Sequence, residues 1–391
     1  MSLKRFTSIK NLRGLGRPLL KEFFGRFEGE LAAAKVTLPA HTLEDDPYFK
    51  ALADVFFSPK ALPEPMTRVL EAVVELADDQ GVADLTMAAK VAQLPIDWTK
   101  KRTNLDIVMQ VWLVDADLMI RQHNEHRLVS TTRFQYWGTK TPQAERLRFK
   151  PPTKAAVELA QKAVDDWCAE NHRGEKTAVI TPHELEGEWW FLIQHGGTMS
   201  RLAESLGDQK TATHFFRPGK DDVVVYNMER DELRIHTGSK GERELYRKEF
   251  GQRLRGEPEY FSERKNFVLD PLRKDVGKAL DPDGVAGIVS IKLQELELAF
   301  GGDFDDRIIR KSDDMVASAA QRSKDGKEIK AVPDTGKLVR AVFEVEFKDL
   351  KKPRRVVLRP PDTLNVGQTG DVKAVHDWLT LREFRAPKND E

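Results

Sequence analysis

The hydrophobic period changes partway along this 391-residue chain, and that change limits the available folds more than any other feature of the sequence. Before Pro151-Pro152, apolar residues recur at three- and four-residue spacing. Leu20, Phe23, Phe24, Phe27 and Leu31 fall on one helical face, and Tyr48–Phe57 and Met66–Ala77 restart the pattern. Thr153 then caps one more helix, which carries Ala156, Leu159, Ala160, Ala163, Val164 and Trp167. After Gly174 short β-branched and aromatic runs take over: Thr177–Ile180, Trp189–Ile193, Thr211–Phe216, Val223–Tyr226 and Leu233–His236. The polar turn Asn227–Asp231 predicts a hairpin between the last two, and Ser239 with Glu242 forms a capping box that opens a helix bearing Tyr246, Phe250 and Leu254.

The last third continues the mixture. Phe267–Leu269, Val285–Phe300 and Arg307–Arg310 read as extended, Val316–Ala320 as a short helix, and Leu338–Phe347 with Arg355–Arg359 as a second hairpin. Asp371 can cap a closing helix that turns Val375 and Leu379 inward. The expected fold is therefore α+β: a mostly helical domain over 1–150, then mixed antiparallel-sheet α+β units over 151–265 and 266–391.

Composition narrows the function classes. The 63 basic and 63 acidic side chains cancel, so overall charge gives no pull toward nucleic acid. With 40% hydrophobic residues the chain can bury a sizeable core. The single cysteine, Cys168, forbids an internal disulfide or a multi-cysteine zinc site and suits a reducing, cytoplasmic setting. The longest uncharged apolar runs, Val108–Val114 and Val285–Ile291, fall well short of the ~20 residues of a spanning helix, so a soluble chain with no membrane partner is expected.

Charge is nonetheless uneven. Residues 1–26 hold seven cations, among them Lys4, Arg5, Lys10, Arg13 and Arg17, against the single acid Glu22. Lys100, Lys101 and Arg102 form a second island, and Lys351, Lys352, Arg354 and Arg355 a third. Local attraction acts within about 8 Å at physiological salt, so such islands suit phosphate. Leu85–Leu94 and Leu105–Leu113, followed by extended Arg127–Trp137, fit a helix-turn-helix with a strand beyond it.

The chemistry signals are mostly negative. The Gly-Lys pairs lack a phosphate-loop context, Gly14-Leu15-Gly16 lacks its third glycine, and neither His-Glu-x-x-His nor Gly-x-Ser-x-Gly occurs. His123 and His126 would share a helix face without an evident third ligand. Gly301–Asp306 gathers three acids without calcium-loop spacing. Pro333-Asp334 followed by Glu346-Phe347-Lys348 resembles the PD-(D/E)xK pattern of metal-dependent nucleases, which implies Mg²⁺ on Asp334 and Glu346 with Lys348 assisting. Against it, Asp334 sits in a Pro-Asp-Thr-Gly turn, and one strand from Lys337 to Phe347 would put Glu346 about 30 Å from the strand's start.

Two features point to recognition instead. Phe23 and Phe27 lie on an apolar stripe that needs covering, from within or by a partner. Adjacent Trp189 and Trp190 must point to opposite faces of one strand. The expectation is a non-catalytic cytoplasmic binding protein, regulatory or scaffolding and without cofactor. Its partner would be a protein, with DNA or RNA at the basic islands as a second candidate. The alternatives are the Mg²⁺-dependent nuclease and a ligand-responsive transcription regulator.

Overall fold

The computed structural model describes residues 3–57, 62–139, 146, 148–205, 209–262, 266–323, 329–348, 350, 352–366 and 371–385. The fold is α+β: helices first, then antiparallel sheet. Two compact units divide the chain, Met1–Arg127 and Leu128–Glu391.

The first unit is built from α1 (Ile9–Leu15), α2 (Arg17–Gly25), α3 (Glu28–Ala33), α4 (Asp45–Phe57), α5 (Glu64–Leu76), α6 (Asp79–Val91), α7 (Asn104–Val114) and most of α8 (Ala116–Val129). Short side chains start the later helices. Asp78 accepts from Gly81 N at 2.7 Å, and Thr103 accepts from Asp106 N at 3.2 Å. The phenylalanine stripe of α2 and the turn after it is core, not a docking face. Phe23 and Phe27 are buried against each other and against Trp112 of α7, with the Phe27 and Trp112 rings stacked at 5.6 Å. A helical stripe finds its cover in the nearest apolar helix, and here α7 supplies it.

That packing also argues against a DNA-reading helix. The second helix of the expected reader is α7, and Leu105, Val108, Met109 and Val111 are buried among α1, α2, α5 and α6. A helix enclosed in this way has no free face to lay in a groove.

The second unit begins with β1 (Arg133–Gly138) and α9 (Lys154–Glu170), the latter capped by Thr153 at 3.2 Å as expected. Then come β2 (Val179–Leu185), β3 (Glu188–Gly196), β4 (Ser200–Ser205), β5 (Thr211–Phe216), β6 (Gly219–Asn227), β7 (Glu232–His236), α10 (Lys240–Arg255), α11 (Pro271–Lys274), α12 (Val276–Ala279), β8 (Ile288–Gly301), β9 (Asp306–Lys311), α13 (Met315–Arg322), β10 (Lys337–Phe347), β11 (Arg354–Arg359), β12 (Thr363–Asn365) and α14 (Asp371–Leu381).

Ten strands form one sheet in the order β2-β3-β6-β7-β1-β12-β11-β10-β8-β9, and every neighbouring pair is antiparallel. The expected hairpins are both present, β6 on β7 and β10 on β11. The expected boundary at Pro151-Pro152 is not where the units divide. β1 lies inside the sheet, and segments 151–265 and 266–391 supply strands to the same sheet, joined through β1 and β12. Proline punctuates a connection there, not a domain.

Side-chain alternation explains the apolar runs of the central strands. Val223, Val225, Phe134, Tyr136 and Leu192 face one core cluster, shared with Phe343, Trp378 and Phe384. Val224, Tyr226, Trp137, Phe191 and Ile193 face the other, covered by α9 and α10. Strands buried on both faces need no polar side. No helix among the described residues is long and apolar enough to cross a membrane.

Candidate functional site

β3 and β6 pair along their whole length and end together, Gly196 opposite Gly219. The chain between them forms a separate two-stranded ribbon, β4 on β5, with Ser200 opposite Phe216 and Ser205 opposite Thr211. The ribbon's root is tightly tied. Gly197 N donates to Pro218 O at 2.7 Å, and Arg217 Nη1 donates to His172 O at 2.7 Å and Gly197 O at 2.8 Å. A Cβ at Gly196 would fall 2.2 Å from Arg173 O, so only glycine fits that approach.

Beneath the root lies a buried charge cluster. Opposite residues in the ladder place His195 beside Lys220, with Asp222 two positions further along β6. The N-terminus of α10 brings Glu242 to the same point. His195 Nε2 lies 3.0 Å from Asp222 Oδ2 and 3.8 Å from Glu242 Oε1. Lys220 Nζ bridges the two acids, 3.1 Å from Asp222 Oδ1 and 2.5 Å from Glu242 Oε2. Tyr246 and Thr237 hydroxyls donate to Asp222 Oδ2 at 2.8 and 3.0 Å, Ser239 Oγ donates to Glu242 Oε2 at 2.8 Å, and Arg173 pairs with Glu242. Ser239 does cap α10, Glu242 N donating to Ser239 Oγ at 3.2 Å, and the acid of the expected capping box is also the cluster's second anion.

These contacts fix the protonation states. Burial alone would lower the His195 pKa, but the Asp222 carboxylate, with Cys168 and the Gly196 carbonyl behind it, outweighs burial and raises it to about 10. Burial opposes ionisation of Asp222 and Glu242, yet hydrogen bonds from His195 to one and from Lys220 to the other hold both below the usual carboxylate values. Burial beside Asp222 pushes the Tyr246 phenol well up.

His195, Asp222 and Glu242 offer three donor atoms within 4.8 Å of one another, the one such group of His, Cys, Asp and Glu among the described residues. The donor set suits a divalent transition metal. The surroundings do not: Lys220 and Arg173 already provide cations to both acids, and an incoming ion would have to displace Lys220. His195 is also buried. The arrangement's evident chemistry is an ionic lock that joins β3, β6, α10 and the segment after α9.

The residues singled out from sequence lie elsewhere. Trp189 and Trp190 do point to opposite faces, and each is half-buried against its own core cluster. Trp190 meets Phe134 edge-on at 6.1 Å and lies beneath the Arg234 guanidinium at 5.4 Å. Asp334 is held by Lys330 at 2.8 Å in the turn before β10, whereas Glu346 accepts from Ser290 Oγ at 3.0 Å near the far end of that strand, and Lys348 is exposed just beyond it. The strand carries Glu346 about 30 Å from its start at Lys337, and Asp334, three residues before that start, is on too short a tether to come back beside Glu346, so the two cannot share Mg²⁺.

Several basic-island cations already have acids. Arg13 pairs with Asp46, Arg17 with Asp45 at 2.8 Å, Lys100 with Asp97 at 3.6 Å, Arg102 with Asp106 at 3.4 Å and Arg355 with Glu295 at 3.8 Å. Arg5 donates to Ala77 O at 3.0 Å. Lys4, Lys10, Lys101 and Lys352 are exposed, Arg354 is half-buried, and Lys351 lies outside the described residues. His123 and His126 take separate acids, Glu75 at 2.5 Å and Asp78 at 3.3 Å. Asp305, in the acidic turn after β8, pairs with Arg307 at 3.0 Å.

Sequence reasoning missed the lock, although its signal was present. Asp222 shares strand parity with Val224 and Tyr226, so an acid stands in the row that packs under α9 and α10. Compared with protein-family models and with curated proteins, the chain matches none.

Proposed function

We propose that the chain is a non-catalytic binding protein, regulatory or scaffolding, that engages a partner protein through the β4–β5 ribbon. The observation that carries this reading is the ribbon's exposure on both faces. Leu202 is 59% exposed and Phe215 69%, and Met199 and Phe216 are also open to solvent. A two-stranded ribbon is marginal in water, and one that displays several large apolar side chains gains most from a surface that covers them. The ionic lock and the Gly196 contact beneath it give that ribbon a fixed root, which lowers the ordering cost of binding. A buried sole cysteine suits a cytoplasmic setting. Ion pairing of Arg13, Arg17 and Arg102 with neighbouring acids leaves less free charge for DNA or RNA, so protein is the favoured partner.

The test compares the wild-type chain with Leu202→Ser/Phe215→Ser/Phe216→Ser as affinity baits at equal thermal stability. A partner recovered by the wild type and lost from the triple variant is the expected result. Identical recovery by both baits overturns the ribbon as the contact. Nucleic acid recovered equally by both, and released by salt, would move the contact to the basic islands.

A further inference from the structure

The ten-stranded sheet has two edges, and they differ. β2 carries Pro182 and is partly buried beside α9, two features that discourage further pairing. β9 is six residues, Asp306-Arg307-Ile308-Ile309-Arg310-Lys311, with no proline. Adjacent Ile308 and Ile309 point to opposite faces and are 47% and 52% exposed, so neither face of this edge is covered.

The ladder fixes which backbone groups are open. Ser312 N donates to Gln294 O at 2.9 Å, and the register continues as Lys311 opposite Glu295, Arg310 opposite Leu296 and Ile309 opposite Glu297. Hydrogen-bonded and non-bonded pairs alternate in an antiparallel ladder. Ile308 and Arg310 therefore bond inward to β8, while Arg307, Ile309 and Lys311 turn their N–H and C=O groups outward. No side chain or loop among the described residues takes those outward groups. The side chains of the same three residues share one face, a cation on either side of an isoleucine. Lys311 touches Glu295 at 3.2 Å with its side chain still 69% exposed, while Arg307, 46% exposed, is held by Glu297 at 2.8 Å and by Asp305 at 3.0 Å, so Lys311 is the more open cation and Arg307 meets a partner's acid by exchanging Asp305 for it.

From this geometry we propose that β9 is a β-augmentation edge that accepts an extended segment of a partner protein. The segment carries an acid, an aliphatic residue and an acid at alternate positions, set opposite Arg307, Ile309 and Lys311. Main-chain bonds supply the affinity, and the cation–isoleucine–cation row supplies the choice of sequence. The site lies on a different strand from the β4–β5 ribbon, so its failure leaves the ribbon reading standing, and the reverse also holds.

The experiment uses the full chain and two pools of short peptides, one built around Glu-Thr-Val-Thr-Glu and the other around Lys-Thr-Val-Thr-Lys, with varied flanks. The wild type is expected to bind the Glu pool in preference to the Lys pool, and bound peptide to slow hydrogen exchange at the Arg307, Ile309 and Lys311 amides. Ile309→Pro removes an outward donor and leaves the β8 ladder intact, so affinity is expected to fall about five- to tenfold. Arg307→Glu/Lys311→Glu keeps the backbone donors and is expected to reverse the pool preference. No preference between pools, unchanged binding by Ile309→Pro, or no reversal by the charge variant overturns the proposal. So does protection of the same amides in a concentration-dependent dimer without peptide, which would assign the edge to a second copy.

Discussion

His195 shows how one side chain can be read quantitatively. It is a buried cation hydrogen-bonded to Asp222, and a charge-assisted bond of this kind is lost when the imidazole is removed even though Lys220 still faces the carboxylate. His195→Gln is therefore expected to cost about 1.5–3 kcal/mol, read from urea unfolding. The pH dependence follows from the raised pKa. The folded-state value of about 10 stands above the ordinary 6.5, so the histidine's contribution is full below about pH 6.5, shrinks as pH rises, and is gone above about 10. Asp222 and Glu242 have lowered values and contribute in the opposite sense, losing their share on acidification. The stability gap between wild type and His195→Gln should accordingly narrow from neutral to alkaline pH; a gap that widens toward pH 10 contradicts this assignment. Single residues of this kind were only partly legible. Parity offered a signal for Asp222 that was not taken, and nothing in sequence places Glu242 or Arg173 beside it, because those contacts depend on where α10 and the end of α9 dock.

At the scale of elements, helix caps and hairpin turns were readable because their chemistry is local. Thr153, Ser239 and the Asn227–Asp231 turn behave as their residue types demand. β4 and β12 were not readable. Ser200–Ser205 has little intrinsic strand preference and owes its conformation to pairing with β5, and β12 is three residues long. Helix α7 misled for the opposite reason: apolar on nearly every side, it is a core helix that resembles a reader only by its position after a turn. The β4–β5 ribbon, the arm that projects between β3 and β6 in sequence, separates stability from recognition. Phe215→Ser/Phe216→Ser alters exposed side chains and should change unfolding free energy by no more than about 0.5 kcal/mol. Gly196→Ala, at the arm's root, drives a methyl into the Arg173 carbonyl and should cost about 1–3 kcal/mol with no exposed residue altered. Thermal scans of the two variants distinguish the cases, and equal losses would show that the root is not tight.

For the whole molecule, the helical-then-sheet order was legible from the change of period, but the sheet's membership was not. β1 pairs with β12, Arg133 opposite Asn365, and no local pattern records a partner that far along the chain. The proline pair at 151–152 suggested a boundary that long-range pairing overrides. The two units keep separate apolar clusters: Phe23 belongs to one that lies wholly within residues 3–119, and Trp378 to one that lies within 128–384. This separation has a measurable consequence. Phe23→Ala removes a fully buried ring and should destabilise its unit by about 3–5 kcal/mol, since the helices around it can close the cavity only in part. Hydrogen exchange should then quicken through α1, α2, α5 and α7 while the amides of β6, β7 and β1 keep their protection. Trp378→Ala should give the converse pattern, with the sheet amides quickened and the helical ones unchanged. Exchange that rises equally in both units for either variant would mean that the chain unfolds as one cooperative body, in which case denaturation should pass through a single transition at every probe.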